Sequence, residues 1–84
     1  MILSWAEGAW EDYLYWQQTD KKLLKRVNTL IKDISPQLFE GIGDPEPLQH
    51  HWSGYWSRRI NREHRLVYRV TEGTIIIVQC RYHY

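Results

Sequence analysis

All three prolines of this 84-residue chain, Pro36, Pro45 and Pro47, fall between residues 35 and 47, together with Gly41 and Gly43. Proline lacks a backbone N–H and fixes φ, and glycine weakens regular elements, so this stretch reads as a loop. It divides two halves of different period. Upstream, apolar residues recur at helical spacing: Trp10, Tyr13 and Leu14, then Leu23, Leu24, Val27, Leu30, Ile31 and Ile34. Downstream they alternate as strands do. Neither half holds enough core to fold alone at this length, so residues 1–84 are expected to form one domain with an internal loop.

Residues 2–5 read as a short strand. Ser4-Trp5-Ala6-Glu7 has the spacing of a capping box, which predicts a helix from there to about Gln18. Thr19-Asp20 supplies a second N-cap, and the next helix runs over about 20–34. A brief strand fits at 47–49. Three longer ones follow at about 55–61, 64–71 and 74–82, joined by turns at Asn61-Arg62-Glu63 and Glu72-Gly73. The expected class is α+β: two N-terminal helices packed on one face of a twisted, mainly antiparallel sheet.

The aromatic content of 14%, with five Trp, six Tyr and one Phe, suits a small domain that needs a dense core. Trp5, Trp10 and Trp16 are expected to pack there. The composition excludes a disordered tail, a collagen-like fibre and a disulfide scaffold. The lone cysteine, Cys80, has no internal partner and points to a reducing compartment. No apolar run approaches the roughly 18 residues of a membrane span, and no basic stretch follows Met1. A cytoplasmic protein without membrane association is expected.

Charge is unevenly distributed. Residues 1–46 carry five basic groups against eight acidic ones (5 − 8 = −3), whereas residues 47–84 carry six arginines against Glu63 and Glu72 (6 − 2 = +4). All four histidines also lie in the second half. Arginine's planar fork matches phosphate oxygens, and the interleaved aromatics offer stacking surfaces, so the pattern suits RNA before duplex DNA. It equally suits a solvated strand surface whose arginine stems cover apolar area.

Alternation along the strands sorts these side chains. Leu66, Tyr68 and Val70 form one set, and Arg65, Val67 and Arg69 the other. In the last strand the expectation is Ile76, Val78, Cys80 and Tyr82 inward, with Gln79, Arg81 and His83 outward. In the first, Trp56 and Ile60 face inward while Tyr55, Ser57 and Arg59 face outward. Arg59, Arg65, Arg69, Arg81 and His83 thus meet on one open sheet face. Arg58 is the misfit, placed on the core side and expected near a sheet edge.

Such a face can hold a phosphate and absorb charge as a phosphorane forms. A histidine can protonate a leaving oxygen, and in RNA the 2′-hydroxyl is a built-in nucleophile. Neither His50-His51 nor any carboxylate pair offers metal-ligand spacing, so no metal or cofactor is expected. Glu46, stiffened between Pro45 and Pro47, is a candidate base or simply a solvent-facing loop acid. His83 is a candidate acid or part of a frayed tail. His64 reads as structural or exposed, and His50 and His51 as surface residues.

Four stretches go further: Asp12-Tyr13-Leu14-Tyr15-Trp16, Gly54-Tyr55-Trp56-Ser57-Arg58-Arg59-Ile60, Glu63-His64-Arg65-Leu66-Val67-Tyr68 and Cys80-Arg81-Tyr82-His83-Tyr84. Together they closely resemble the YoeB (Txe/YoeB) family of bacterial toxins, with the RelE-like, microbial ribonuclease-like fold, from end to end. The resemblance implies a type II toxin–antitoxin toxin: a ribosome-dependent endoribonuclease (mRNA interferase) that cuts mRNA in the ribosomal A site. It implies a YefM-type antitoxin partner, through which the pair reaches operator DNA and represses its operon. A homodimer is compatible with the family, though no sequence feature demands one. Carried over by position, Glu46 is the general base, His83 the general acid, Arg65 the phosphorane stabiliser with Arg59 in support, and Tyr84 a substrate-orienting residue. The expected products are a 2′,3′-cyclic phosphate (or 3′-phosphate) and a 5′-hydroxyl.

One position departs from the resemblance. The family's Pro-Leu-Lys-His reads Pro47-Leu48-Gln49-His50 here, so Gln49 replaces a cation beside the expected scissile phosphate. The alternatives are a non-catalytic toxin or a ParE-type toxin acting only through protein partners. A weaker one is a DNA-binding co-repressor, for which no helix-turn-helix signal is present.

Overall fold

The structure, a computed structural model, describes residues 1–83. Tyr84, expected to orient substrate, lies outside the described residues. In chain order the elements are β1 (Ile2–Trp5), α1 (Glu7–Thr19), α2 (Lys21–Ile34), β2 (Glu46–Pro47), a 3-10 turn (His50–Trp52), β3 (Tyr55–Arg59), β4 (Arg65–Thr71) and β5 (Thr74–Gln79). The strands form one sheet in the order β1-β5-β4-β3-β2. β1 runs parallel to β5 and every other pairing is antiparallel, which makes the α+β architecture a mixed sheet.

Both helices pack on one sheet face. Ala9 and Trp16 from α1 and Val27, Leu30 and Ile34 from α2 meet Ile60, Leu66, Tyr68, Ile75, Ile77 and Cys80 in a single cluster. Asp20 caps α2 as the sequence indicates, accepting from the Leu23 amide at 3.0 Å. The capping box at α1 does not form. Ser4 is paired in β1 opposite Ile76, and the helix starts after Ala6, with no side-chain cap. The Ala6 amide instead continues the ladder to the Ile77 carbonyl at 2.9 Å. Sheet pairing takes the backbone that a cap would have used.

The last strand corrects the expected parity. Ile75 and Ile77 point into the core, whereas Ile76 and Val78 lie on the other face and are only partly buried. A bulge is the cause. Val67 pairs with Gln79 and Tyr68 with Ile77, leaving Val78 as the extra residue. Beyond the bulge Cys80 returns to the core, fully buried. Tyr82, expected inward, is 58% exposed, and Trp10, expected in the core, is 45% exposed. Trp10 stacks on Tyr13 with centroids 5.7 Å apart and meets Trp5 edge-on at 5.6 Å. Both of those rings are partly buried against the core, so Trp10 covers its margin and does not fill it. Arg81 also leaves its expected face. It lies 3.6 Å over the Tyr15 ring of α1. Val67, on the face away from the helices, is nonetheless fully buried, as Leu48 nearly is. That face is only partly open.

Candidate active site

The β3–β4 register places Arg59 directly opposite Arg65. One pleat along, β2 sets Glu46 opposite Ser57, which in turn stands opposite Val67. Glu46 therefore reaches the arginines diagonally, with its Oε1 3.7 Å from Arg65 Nη1. The two partners differ in setting: the Arg65 side chain is 13% exposed and that of Glu46 53%. An ion pair this long and this wet contributes little stability, so an incoming anion can displace it. Glu46, Arg59 and Arg65 line one cleft of about 440 Å³ with Phe39, Glu40, Gly41, Asp44 and Pro45. Phe39 is 49% exposed and leans on Trp56 with centroids 4.8 Å apart. It gives the cleft an apolar ring beside its charges.

The cleft wall is the loop at 35–45, and Arg58 holds it. This side chain is fully buried on β3, one strand in from the sheet edge formed by β2. Nε donates to the Tyr68 hydroxyl at 3.2 Å, and Nη1 to Asp33 Oδ2 at 2.7 Å and to the Ile42 carbonyl at 3.3 Å. Nη2 donates to the Gln37 and Glu40 carbonyls. The Tyr68 hydroxyl donates to the Leu38 carbonyl at 2.7 Å. The Ile42 amide and the Arg58 guanidinium hold the Asp33 carboxyl below the usual carboxylate range, while burial raises Tyr68. Gly43 completes the wall. Its φ is +82°, and a Cβ there would sit 2.7 Å from Leu30 Cδ2. Its carbonyl accepts from the Arg59 amide at 2.7 Å. Sequence reading missed this role for Arg58, because most of its partners are backbone carbonyls with no residue signature.

The C-terminal tail folds back to the start of β4. The Cys80 amide donates to Asp12 Oδ2 at 3.1 Å, and Trp16 Nε1 donates to the Cys80 carbonyl at 2.8 Å. Burial raises Asp12 and pushes the Cys80 thiol up to about 12. The Tyr82 amide donates to His64 Nδ1 at 2.7 Å, and the Tyr82 carbonyl accepts from the Arg65 amide at 2.9 Å. The backbone just before His83 is thus bonded to Arg65, and His83 itself is exposed. Gln49 is exposed and precedes the 3-10 turn, its carbonyl accepting from the Trp52 amide at 3.0 Å. It is not among the residues lining the cleft. His50 and His51 are exposed, as expected of surface residues. Arg69 stays on the sheet face but turns to Tyr55, 5.8 Å from the ring centroid. Among the described residues no group of three His, Cys, Asp or Glu is placed to hold a metal ion.

Residues 5–84 match the model of the YoeB-like toxin of bacterial type II toxin-antitoxin systems. The chain belongs to this family. Toxin YoeB of Escherichia coli (strain K12) is 60% identical to it over 84 residues, covering all of both chains. Among solved structures, a YoeB/ParE toxin from Agrobacterium tumefaciens superposes with a TM-score of 0.96 at 45% identity, covering all of both chains. A YoeB dimer and a heterotetrameric YoeB-YefM toxin-antitoxin complex, both from Staphylococcus aureus, each give a TM-score of 0.92 at 49% identity. Each covers 100% of this chain and 98% of theirs. The YoeB family frame thus extends over the cleft, the loop that walls it and the folded-back tail.

Proposed function

We propose that this toxin is an endoribonuclease, an mRNA interferase that cuts mRNA in the ribosomal A site and so halts translation. The observation that carries this reading is the 3.7 Å approach of Glu46 Oε1 to Arg65 Nη1 inside a cleft shared with Arg59. A base beside paired guanidinium groups is what 2′-hydroxyl attack on a phosphodiester requires.

In the proposed reaction Glu46 takes the proton from the 2′-hydroxyl as that oxygen bonds to phosphorus. Arg65, with Arg59 in support, takes up the charge of the phosphorane. The bond from phosphorus to the 5′-oxygen then breaks, and His83 gives that oxygen its proton. A 2′,3′-cyclic phosphate and a 5′-hydroxyl result, with no metal in any step. Glu46 ends protonated and His83 neutral, so water-borne exchange restores both. Phe39 offers a ring on which a neighbouring base can stack, and Tyr84 is assigned to substrate orientation. Gln49 is assigned to substrate contact as a weaker substitute for a lysine.

By likeness to the Staphylococcus aureus complex, the proposed partner is a YefM-type antitoxin that covers the cleft. The pair reaches operator DNA through the antitoxin, and a homodimer follows the Staphylococcus aureus precedent. Single-turnover cleavage on programmed ribosomes tests the enzyme reading. Glu46→Ala and His83→Ala should each lose more than about tenfold, since acid–base terms are worth about 10²–10⁴. Wild-type rates in both variants reject the assigned roles. A wild-type chain that arrests growth without cutting RNA favours a toxin acting through protein partners.

A further inference from the structure

We propose that His64 is a positioning residue for His83: its Nδ1 clamps the C-terminal turn that delivers the proposed acid to Arg65. The inference rests on the ribonuclease reading above for its consequence, but its geometry stands alone.

Tyr82 has a φ of +63°, in the left-handed region that a bulky residue rarely adopts. Such a conformation persists only where the surroundings over-determine it, and it is common at functional sites. Here the surroundings do so with both backbone groups of Tyr82. His64 Nδ1 accepts from its amide at 2.7 Å, and the next residue, Arg65, donates its amide to its carbonyl at 2.9 Å. His64, just before β4, and Arg65, its first residue, therefore grip one residue of the tail. The tail residue that follows is the proposed acid. The strand residue that closes the grip is the proposed phosphate ligand.

The His64 ring is itself fixed. It meets the buried Trp16 ring edge-on, with centroids 4.8 Å apart, and faces the Tyr82 ring at 6.1 Å. Accepting from an amide requires the lone pair on Nδ1, so the ring proton sits on Nε2. A ring oriented by packing and aimed at one amide is costly to replace. A hairpin corner that served only to connect strands would need no side-chain acceptor, since Asn61 already closes it by accepting from the Glu63 and His64 amides.

The test compares His64→Phe, which keeps a ring but removes the acceptor, with His64→Asn, whose Oδ1 falls near the Nδ1 position. Full-length variants are assayed by single-turnover cleavage on programmed ribosomes. His64→Phe should lower the saturating rate constant about 10- to 100-fold with little change in half-saturating concentration, as misplacing a reacting group does. His64→Asn should recover most of that loss. The double variant His64→Phe/His83→Ala should be no slower than His83→Ala, because the clamp acts only through His83. Independent, additive losses overturn the proposal, as does an unimpaired His64→Phe or an unrescuing His64→Asn. One measurement needs no variant: a scalar coupling across the hydrogen bond between the Tyr82 amide nitrogen and His64 Nδ1 in the wild type. Its absence overturns the clamp. If the coupling is present and His83→Ala cuts normally, the clamp stands as geometry and the catalytic reading of His83 fails.

Discussion

Arg59 and Arg65 stand directly opposite each other across the β3–β4 pair. Cross-strand partners hold their Cα atoms about 4.5–5.5 Å apart, and like charges so placed destabilise the sheet. Glu46 offsets only part of this, from 3.7 Å and half in solvent. The juxtaposition therefore costs stability in the free protein and is relieved when an anion lies between the guanidinium groups. Arg65→Gln should leave the melting temperature unchanged or raise it, while cleavage falls at least tenfold. Calorimetry beside a single-turnover assay checks this. A large drop in melting temperature would mean that Arg65 serves the fold.

Asp33 supplies a pH-dependent prediction. Its folded carboxyl lies below the ordinary range because the Ile42 amide and Arg58 donate to it. A depressed folded pKa contributes stability above the unfolded value of about 3.9 and loses it as pH falls through the folded value. Asp33→Asn should thus be less stable than wild type at pH 7, with the gap narrowing below about pH 4. Urea titrations across that window measure it. A gap independent of pH would contradict the assigned ion pair.

Arg58→Met removes the hub of the cleft wall and leaves Asp33, Gln37, Glu40 and Ile42 with fewer ties. Losing one partner of a buried pair is among the largest single-residue effects, so the melting temperature should fall on the order of 10 °C. Arg58→Lys should recover little, since one ammonium cannot span the same five acceptors. Near-wild-type melting of either variant would show that the loop is held by other contacts.

Cys80 is fully buried, with its thiol pushed up to about 12, and its Sγ donates to the Ala9 carbonyl at 3.6 Å. Alkylation needs an exposed thiolate. Iodoacetamide at pH 8 should leave the native protein unmodified and label it fully once it is unfolded. Fast native labelling would mean that the tail opens freely, which is incompatible with a tightly held His83.

Two further variants bear on the proposed substrate contacts of Gln49 and Phe39. Gln49→Lys should leave cleavage unchanged or raise it, because it restores the cation that the family resemblance implies there, at an exposed position. Phe39→Ala should raise the half-saturating concentration about 5- to 100-fold with a smaller effect on the saturating rate, given about 1–3 kcal/mol for a stacked base. Ribosome titrations separate the two quantities. A clear loss in Gln49→Lys would assign that residue another role.

Much of this was legible in the residues. Proline and glycine placement marked the loop, helical spacing marked α1 and α2, and alternation put Arg59 and Arg65 on one face. Two kinds of information were not. Ile75-Ile76-Ile77-Val78 is apolar at every position, so parity in β5 has no sequence signal and the bulge at Val78 could not be seen. Likewise Arg58 and His64 act on backbone groups, whose positions only the fold decides. Ser4-x-x-Glu7 shows the reverse case, a local signal overridden when Ser4 paired with β5.

The chemistry of the cut ends tests the central claim most directly. Fragments released by the wild-type chain from programmed ribosomes, with metal chelated, should carry a 5′-hydroxyl and a 2′,3′-cyclic phosphate or its 3′-phosphate product. Ends bearing a 5′-phosphate and a 3′-hydroxyl would contradict attack by the 2′-oxygen, and with it the roles given to Glu46 and Arg65.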